Sequence, residues 1–311
     1  MRFSSWKEKI SKLFVHDDDN DKGNIKTQKL AAVSPTTENS IYKDGTKMLF
    51  PTHPTGSQWY LGENNPNFIS TFSTDSHNKI IKQKEGAIEY WNVKCGTITY
   101  RSSNEKGRSC RLNIFPSTTS QVNDWHAAIK RGFIGNSKDL KNQEITFIGR
   151  LHTIVHRHLE TCIKIRGGGH HGYAPDQAAC IEMDVSHKST KHIARRAKEL
   201  THPIYEYEDL SPKFEFFTQD NVWFAMKVTS WNNQDGTVTN RCYIDPKPFL
   251  PDGVLRNDYR LYSEWIDRGD GEKYKEIVNW AGGVPITVRI DGWDSVDFYV
   301  LNAREIISPL S

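Results

Sequence analysis

The sequence carries no large excess of charge of either sign. Its 311 residues include 41 Lys and Arg against 38 Asp and Glu, which gives a formal net charge of +3. Nucleic-acid-binding proteins concentrate basic residues in a patch or stripe, so a nucleic-acid partner is not expected. No apolar stretch approaches the roughly 20 residues of a membrane-spanning helix, and no membrane span is expected either.

Cysteine is scarce and scattered. The five cysteines lie far apart and form no C-x-x-C pair, which argues against a zinc ribbon. An odd number also leaves at least one thiol outside any set of disulfides within the chain. Cys162 and Cys180 would face each other if the segments around them pair as strands, although buried free thiols are the commoner state.

The N-terminal residues lack the pattern of a packed domain. MRFSSWKEKISKLF (1–14) has charges where a signal peptide needs an apolar core, and it predicts a short amphipathic helix instead. A cytoplasmic location is then the default expectation. Residues 16–47 are polar and typical of a flexible linker. We therefore assign residues 1–47 to an arm and residues 48–311 to a single domain.

From Met48 onward, apolar and polar residues alternate with the period of two that is typical of β-strands. The clearest segments are EITFIGRL (144–151), TCIKIR (161–166), CIEMDV (180–185), VWFAMKVTSW (222–231), TVTNRCYI (237–244), PITVRID (285–291) and VDFYVL (296–301). The turn sequences NNQDG and GWDS predict that the last four segments form two hairpins. HIARRAKELTH (192–202) predicts the one convincing helix inside the domain. We expect an all-β fold, a two-sheet antiparallel β-sandwich of jelly-roll type behind a disordered or partly helical arm.

One connection between two predicted strands is unusually long. From Gly167 to about Ala179 it carries several glycines and two histidines, whereas a hairpin loop needs about two to five residues. Long loops in compact domains are often functional. A structural bend, with one histidine capping a strand end, is the alternative.

Six motifs follow one another along the domain. They are RGGGHH (166–171), the HP-x-Y of THPIYEY (201–207), VWFAMKVTSWNNQDGTVTNRCYID (222–245), NDYRLYSEWID (257–267), VNWAGG (278–283) and RIDGWDSVDFYVLNAREI (289–306). Over residues 48–308 the chain resembles a group of archaeal and bacterial proteins similar to concanavalin A-like lectin and glucanase jelly rolls. That superfamily includes polysaccharide lyases of the alginate-lyase type. The alginate-lyase strand signatures are not intact here, so the resemblance supplies no catalytic residues.

In such jelly rolls the concave face of a sheet binds extended glycans. The strand phases place Lys164 and Arg166 on the polar side of one strand, and Glu182 and Asp184 on the polar side of another. We take Lys164, Glu182, Asp184 and Lys227 as candidate substrate-binding residues. The alternative is a solvated sheet face with cross-strand ion pairs, worth about 0.2–1 kcal/mol each.

β-Elimination of a uronate needs a cation at the carboxylate, a base for the C5 proton and an acid for the leaving oxygen. Arg166 has the required charge, and His170, His171 and Tyr173 have side chains suited to proton transfer. These four are the candidate catalytic residues of a polysaccharide lyase. A glycoside hydrolase using Glu182 and Asp184 ranks lower, because His187 stands where jelly-roll glucanases have a second glutamate.

Metal binding is a further alternative. His156 and His158 would share one face of a strand, but no carboxylate or cysteine accompanies them at a diagnostic spacing, and no metal site is assigned. Asp267, Asp270 and Glu272 have the oxygens for a structural calcium ion. The glycines between them make an ordinary turn the preferred interpretation, and the cofactor is left unknown.

The sequence thus predicts a carbohydrate-active protein that binds a polysaccharide. A uronate-containing polysaccharide is one candidate ligand, and polysaccharide lyase is the candidate activity. A non-catalytic glycan-binding module is one alternative. A structural or assembly protein, such as a virion or surface-layer component, is another. The oligomeric state is not specified by these patterns.

Overall fold

The computed structural model describes residues 40–61, 70–71, 80–100, 104–114, 140–167, 179–187, 193–201, 203–280 and 286–309. These residues form sixteen β-strands in two antiparallel sheets and contain no helix. The predicted all-β sandwich is confirmed. Among the described residues, therefore, no helix has the length and apolarity to cross a membrane.

The first sheet consists of eight strands. They are β1 (Gln58–Tyr60), β3 (Ile81–Glu85), β4 (Ile88–Lys94), β7 (Gln143–Ile154), β12 (Trp223–Asn232), β13 (Val238–Asp245), β14 (Arg260–Asp267) and β16 (Trp293–Glu305). Their spatial order is β14-β13-β12-β7-β16-β4-β3, and β1 also pairs with β16.

The second sheet also has eight strands. They are β2 (Ser70–Thr71), β5 (Gly96–Tyr100), β6 (Glu105–Ile114), β8 (Glu160–Ile165), β9 (Cys180–Val185), β10 (Ala194–Thr201), β11 (Ile204–Leu210) and β15 (Ile286–Asp291). Their order is β11-β10-β9-β8-β15-β6-β2, and β5 also pairs with β6. The chain passes between the sheets several times, as it does from β6 to β7 to β8, which is the organisation of a jelly roll.

The core lies between the two sheets. The predicted alternation is confirmed in β7, where Ile145, Phe147 and Leu151 are fully buried in the core. The second sheet contributes Ile163 and Ile165 from β8 to the same core. All five cysteines are buried free thiols, as the sequence favoured. Cys162 does not face Cys180, because its partner across β9 is Asp184.

The predicted helix at 192–202 is wrong. Residues 194–201 form β10, which pairs with β9 on one side and with β11 on the other. Helix-favouring residues such as Ala, Arg, Lys and Glu dominate this segment, but helix propensity is a weak preference that tertiary context overrides. Here Arg195 pairs with Asp184 of β9, and Lys198 pairs with Asp267 of β14. These buried ion pairs require a strand in which successive side chains point to opposite faces.

One of the two predicted hairpins is confirmed and the other is wrong. β12 and β13 pair across the NNQDG turn. β15 and β16 do not pair, since β15 belongs to the second sheet and β16 to the first. Gly292 alone separates them, at a φ of 85°, and the chain turns there from one sheet into the other. A left-handed backbone at this position is one that glycine adopts without strain.

The sandwich begins before residue 48. Tyr42 and Thr46 are buried, and Asn302 Nδ2 donates a hydrogen bond to Asp44 Oδ2 at 2.6 Å. Residues 40–47 thus contact the last strand of the domain. The predicted amphipathic helix and the linker up to residue 39 lie outside the described residues.

We expect Gly292→Ala to destabilise the domain strongly. A Cβ atom at this position would lie 2.5 Å from the His158 carbonyl oxygen and 2.7 Å from Leu159 Cδ2. The matched control is Gly86→Ala, since Gly86 also has a positive φ of 58° but would have nothing within 4 Å of its new methyl group. Overpacking predicts that Gly292→Ala costs about 1–3 kcal/mol more than Gly86→Ala in urea unfolding. Equal losses of unfolding free energy in the two variants would show that the chain around Gly292 relaxes to accommodate the added methyl group.

Candidate functional site

The polar face of the second sheet is the face turned away from the core. As predicted, β8 and β9 are neighbours on this sheet, and Lys164 lies opposite Glu182. The Lys164 Nζ atom is 2.7 Å from Glu182 Oε1 and 3.6 Å from Glu199 Oε2. The predicted cross-strand ion pair is therefore present. It is also buried, with relative exposures of 1% for Lys164 and 0% for Glu182.

A second ion pair lies two residues along the same strands. Asp184 faces Cys162 on one side and Arg195 of β10 on the other. Arg195 donates to Asp184 Oδ2 from Nε at 2.8 Å and from Nη2 at 2.6 Å. Glu160 Oε1 lies 3.4 Å from the same Nη2 atom. Both donors therefore converge on one oxygen of Asp184, and each of these contacts is a charge-assisted hydrogen bond.

β15 and β6 complete the network from the other side. Arg289 lies opposite Cys162 and contacts three carboxylates: Glu160 at 2.8 Å, Glu182 at 3.3 Å and Asp291 at 2.8 Å. Arg111 of β6 lies 2.6 Å from the other oxygen of Asp291. We call this set the charged cluster. Its members are Arg111, Glu160, Lys164, Glu182, Asp184, Arg195, Glu199, Arg289 and Asp291.

The charged cluster departs from the solvated ion-pair face that the sequence also allowed. Charges on a solvated face are screened and contribute little. A buried charge must instead be paired and hydrogen-bonded, because desolvation costs several kcal/mol per ion. Oppositely charged partners on neighbouring strands, rather than water, therefore neutralise each of these side chains.

The cluster becomes more exposed toward β11. Tyr205 and Tyr207 stack on this strand with ring centroids 5.3 Å apart and planes inclined by 12°. Lys164 Nζ lies over the Tyr205 ring at 5.3 Å and donates to its hydroxyl at 3.3 Å. The Arg195 guanidinium lies over the Tyr207 ring at 4.1 Å. We call Lys164, Tyr205, Tyr207 and Arg195 the cation–tyrosine row.

The environment of the carboxyl groups separates their pKa values. Burial alone would raise the pKa of Glu182, but the Lys164 ammonium and the Arg289 guanidinium lower it to about 2. Burial raises the pKa of Asp184 to about 6 in spite of Arg195. Burial also raises the pKa of Glu160 to about 8, with Arg289 acting in the opposite direction. At neutral pH one proton is thus held within the cluster.

Arg166 does not lie on the polar face. The sequence phase placed it beside Lys164, but its backbone has a φ of 58°, which ends the alternation of β8. Its side chain is fully buried, donates from Nε to Ser230 Oγ at 2.8 Å and from Nη1 to the Val278 carbonyl oxygen at 3.3 Å. Because Ser230 belongs to β12, Arg166 reaches toward the first sheet.

Lys227 lies on the other sheet. Its Nζ atom is 2.9 Å from Glu144 Oε1 and 2.5 Å from Thr146 Oγ1 of β7, and it lies over the Tyr259 ring at 4.7 Å. Met226, the residue before Lys227 on β12, lies in the core, so Lys227 is on the opposite face of the strand. Lys227 and Lys164 therefore occupy polar faces of different sheets and do not form one site.

The remaining candidates divide into three groups. His170, His171 and Tyr173 lie outside the described residues, and their roles stay predictions. His156 and His158 lie beyond the end of β7 rather than within a strand, with their rings stacked at 5.0 Å. Asp267 accepts hydrogen bonds from Lys198 Nζ and from the Val278 and Gly269 backbone N–H groups.

The sequence reasoning missed six of the nine members of the charged cluster. Arg289 and Asp291 stand two apart in PITVRID, a segment whose alternation was recognised but whose polar side was not considered. Arg195 was missed because its segment was interpreted as a helix. Tyr205 and Tyr207 also stand two apart, in THPIYEY, and their alternation was the available signal.

Comparison with known proteins finds similarity at the level of the fold. No protein-family model matches the chain, and no curated protein matches it. An endo-β-1,4-glucuronan lyase from the fungus Trichoderma reesei has 8% identity and a TM-score of 0.39, covering 82% of this chain and 93% of that one. A GH16 protein from Bacteroides ovatus has 10% identity and a TM-score of 0.38, over 82% and 97% of the chains.

An endo-1,3-β-glucanase from Streptomyces sioyaensis gives a similar result. Its identity is 9% and its TM-score 0.38, over 90% of this chain and 100% of that one. At these values the likeness is one of fold outline and says nothing about the site.

We expect Lys164→Met to cost about 3–5 kcal/mol of unfolding free energy, because it leaves Glu182 buried without its closest cation. The double variant Lys164→Met/Glu182→Gln should recover part of this loss. The control is Lys82→Met, since Lys82 and Glu89 also form an ion pair, at 2.6 Å, but their side chains are at least half exposed. That change should leave the urea midpoint close to wild type. A similar midpoint shift for both lysines would contradict the assigned burial.

We expect Glu160 to make the protein less stable as the pH rises. A carboxyl group with a raised folded-state pKa favours the folded state fully below its unfolded pKa, and this contribution is lost as the pH rises toward about 8. Between pH 5 and 8 the loss is up to about 1.4 kcal/mol per pH unit. Urea unfolding of the wild type and of Glu160→Gln across this range tests it. A slope unchanged in Glu160→Gln would assign the titration to another group.

Proposed function

We propose that the protein binds a polysaccharide bearing carboxylate groups on the polar face of the second sheet, along β10 and β11. The cation–tyrosine row is the observation that carries this proposal. A uronate chain presents a carboxylate and hydroxyl groups on each sugar unit. The row offers charged N–H donors to the carboxylate and phenolic hydroxyls to the sugar hydroxyls.

Arg195 is the cation of this row that is best placed for a ligand. The relative solvent exposure of its side chain is 17%, against 2% for Lys164. Its Nε and Nη2 atoms serve Asp184 and Glu160, and no described residue accepts a hydrogen bond from Nη1. A guanidinium held in this way is preorganised, so little conformational freedom is lost when a carboxylate binds to the remaining N–H groups.

The finer proposal is that the bound polymer is cleaved by β-elimination. A base removes the proton from C5, the electron pair forms a C4–C5 double bond, and the bond from C4 to the leaving oxygen breaks. The Tyr205 hydroxyl, which accepts a hydrogen bond from Lys164 Nζ at 3.3 Å, is the group we assign as the acid that protonates the leaving oxygen. The predicted sources of the base are His170, His171 and Tyr173.

The test measures binding and product formation together on a panel of acidic and neutral polysaccharides. We expect Arg195→Met to weaken binding of uronate polymers about tenfold or more, because a charged hydrogen bond is lost. Arg241→Met is the matched control, since Arg241 also lies over an aromatic ring, Trp231, and pairs with a carboxylate, but on the first sheet. Its binding should equal that of the wild type.

Three outcomes separate the possibilities. New unsaturated-uronate absorbance that is lost in Tyr205→Phe, with binding retained, supports the lyase. Binding that depends on Arg195 but gives no product makes the protein a non-catalytic glycan-binding module. Failure of the wild type to bind any polymer overturns the proposal and favours an assembly role.

A further inference from the structure

Cys162 lies among carboxylates on the polar face of the second sheet. One ligand atom from each of Glu160, Cys162, Glu182 and Asp184 lies within 4.8 Å of all the others. Cys162 is fully buried, and polysaccharide binding gives its thiol no role. A thiol in such a setting is not explained as core packing, since its neighbours on this face are charged rather than apolar.

Two oxygens of this group lack hydrogen-bond partners. Glu182 Oε2 and Asp184 Oδ1 are buried, and no described residue donates to either of them. The exposures of the two residues are 0% and 1%. Leaving a buried charged acceptor unsatisfied is costly, and native structures rarely do so without a reason.

The other oxygens of the same carboxylates are held in place. Lys164 and Arg289 bind Glu182 through Oε1 alone, and Arg195 binds Asp184 through Oδ2 alone. Each carboxylate is therefore oriented from one side and left with an acceptor on the other. Hydrogen bonds of this kind orient the ligands of metal sites.

The charges around Cys162 leave a deficit of positive charge. Within the charged cluster, five carboxylates stand against four cations. The carboxylates are Glu160, Glu182, Asp184, Glu199 and Asp291, and the cations are Arg111, Lys164, Arg195 and Arg289. With every carboxyl group ionised, and so without the proton that the cluster holds at neutral pH, and with Cys162 as a thiolate, the formal charge is −2, which one divalent cation neutralises.

We propose that Cys162, Glu160, Glu182 and Asp184 bind a divalent transition-metal ion. Zn²⁺ matches the donors, because it accepts thiolate sulfur together with carboxylate oxygen in four-coordinate sites. Hard ions such as Mg²⁺ and Ca²⁺ prefer oxygen alone, and the thiol disfavours them. Binding releases the Cys162 thiol proton and the proton held among the carboxyl groups to solvent, and it joins β8 to β9 through the metal. The metal site shares Asp184 and Glu160 with the contacts that hold Arg195, but it does not require a bound polysaccharide.

The first experiment uses the full chain, stripped with a chelator and then titrated with Zn²⁺ or Co²⁺. We expect one ion per chain by mass spectrometry and a rise in Tm with Zn²⁺, because the metal binds the folded state. With Co²⁺ we expect a sulfur-to-metal charge-transfer band in the near ultraviolet. A wild-type protein that takes up neither ion overturns the proposal.

The variants identify the ligands. Cys162→Ala should abolish the charge-transfer band and weaken Zn²⁺ binding about tenfold or more. Cys242→Ala, which removes another fully buried thiol from the first sheet, should retain both. Asp184→Asn keeps the side-chain shape, and it should weaken Zn²⁺ binding while retaining the charge-transfer band. This variant tests the ligand set even if Cys162→Ala does not fold. Unchanged metal binding in both Cys162→Ala and Asp184→Asn would also overturn the proposal.

Discussion

The buried ion pair of Lys164 and Glu182 constrains which side chains the neighbouring strands of the second sheet must supply. Neither charge reaches water, so each must be matched by groups supplied from neighbouring strands. Glu182 receives Lys164 from β8 and Arg289 from β15. A slip of one residue in any of these strands would replace a charged side chain by an apolar one and leave a buried ion unmatched. The charge pattern thus fixes strand register as firmly as the hydrophobic core does.

The same constraint leaves the two ends of this face unequally exposed to solvent. In its centre the cations are already committed to carboxylates, and a ligand would have to compete with them. Toward β11 the side chains are more exposed, and Arg195 retains donor capacity beyond its contact with Asp184. The stacked tyrosines belong to β11 itself. A rigid, charge-matched support beneath a more exposed edge is the arrangement that preorganises a binding site.

Local patterns predicted what depends on neighbours in sequence. The alternation in CIEMDV matched β9 residue for residue, and the phase of β8 and β9 brought Lys164 opposite Glu182. The pattern gave a wrong prediction where a single dihedral angle, or a partner distant in the sequence, determined the local structure. Arg166 left its predicted face because of a positive φ, and residues 194–201 became a strand because β9 and β11 flank them.

The sequence by itself determined the two-sheet all-β architecture, since period-two alternation leaves each strand one face for a core. It also determined which charges could pair across β8 and β9. Only the tertiary structure decided that this polar face is buried, that Arg289 and Arg195 converge on it, and that Lys227 belongs to the other sheet. The physical reason is that strand phase is a local property, whereas strand order, sheet membership and burial depend on residues far apart in the chain.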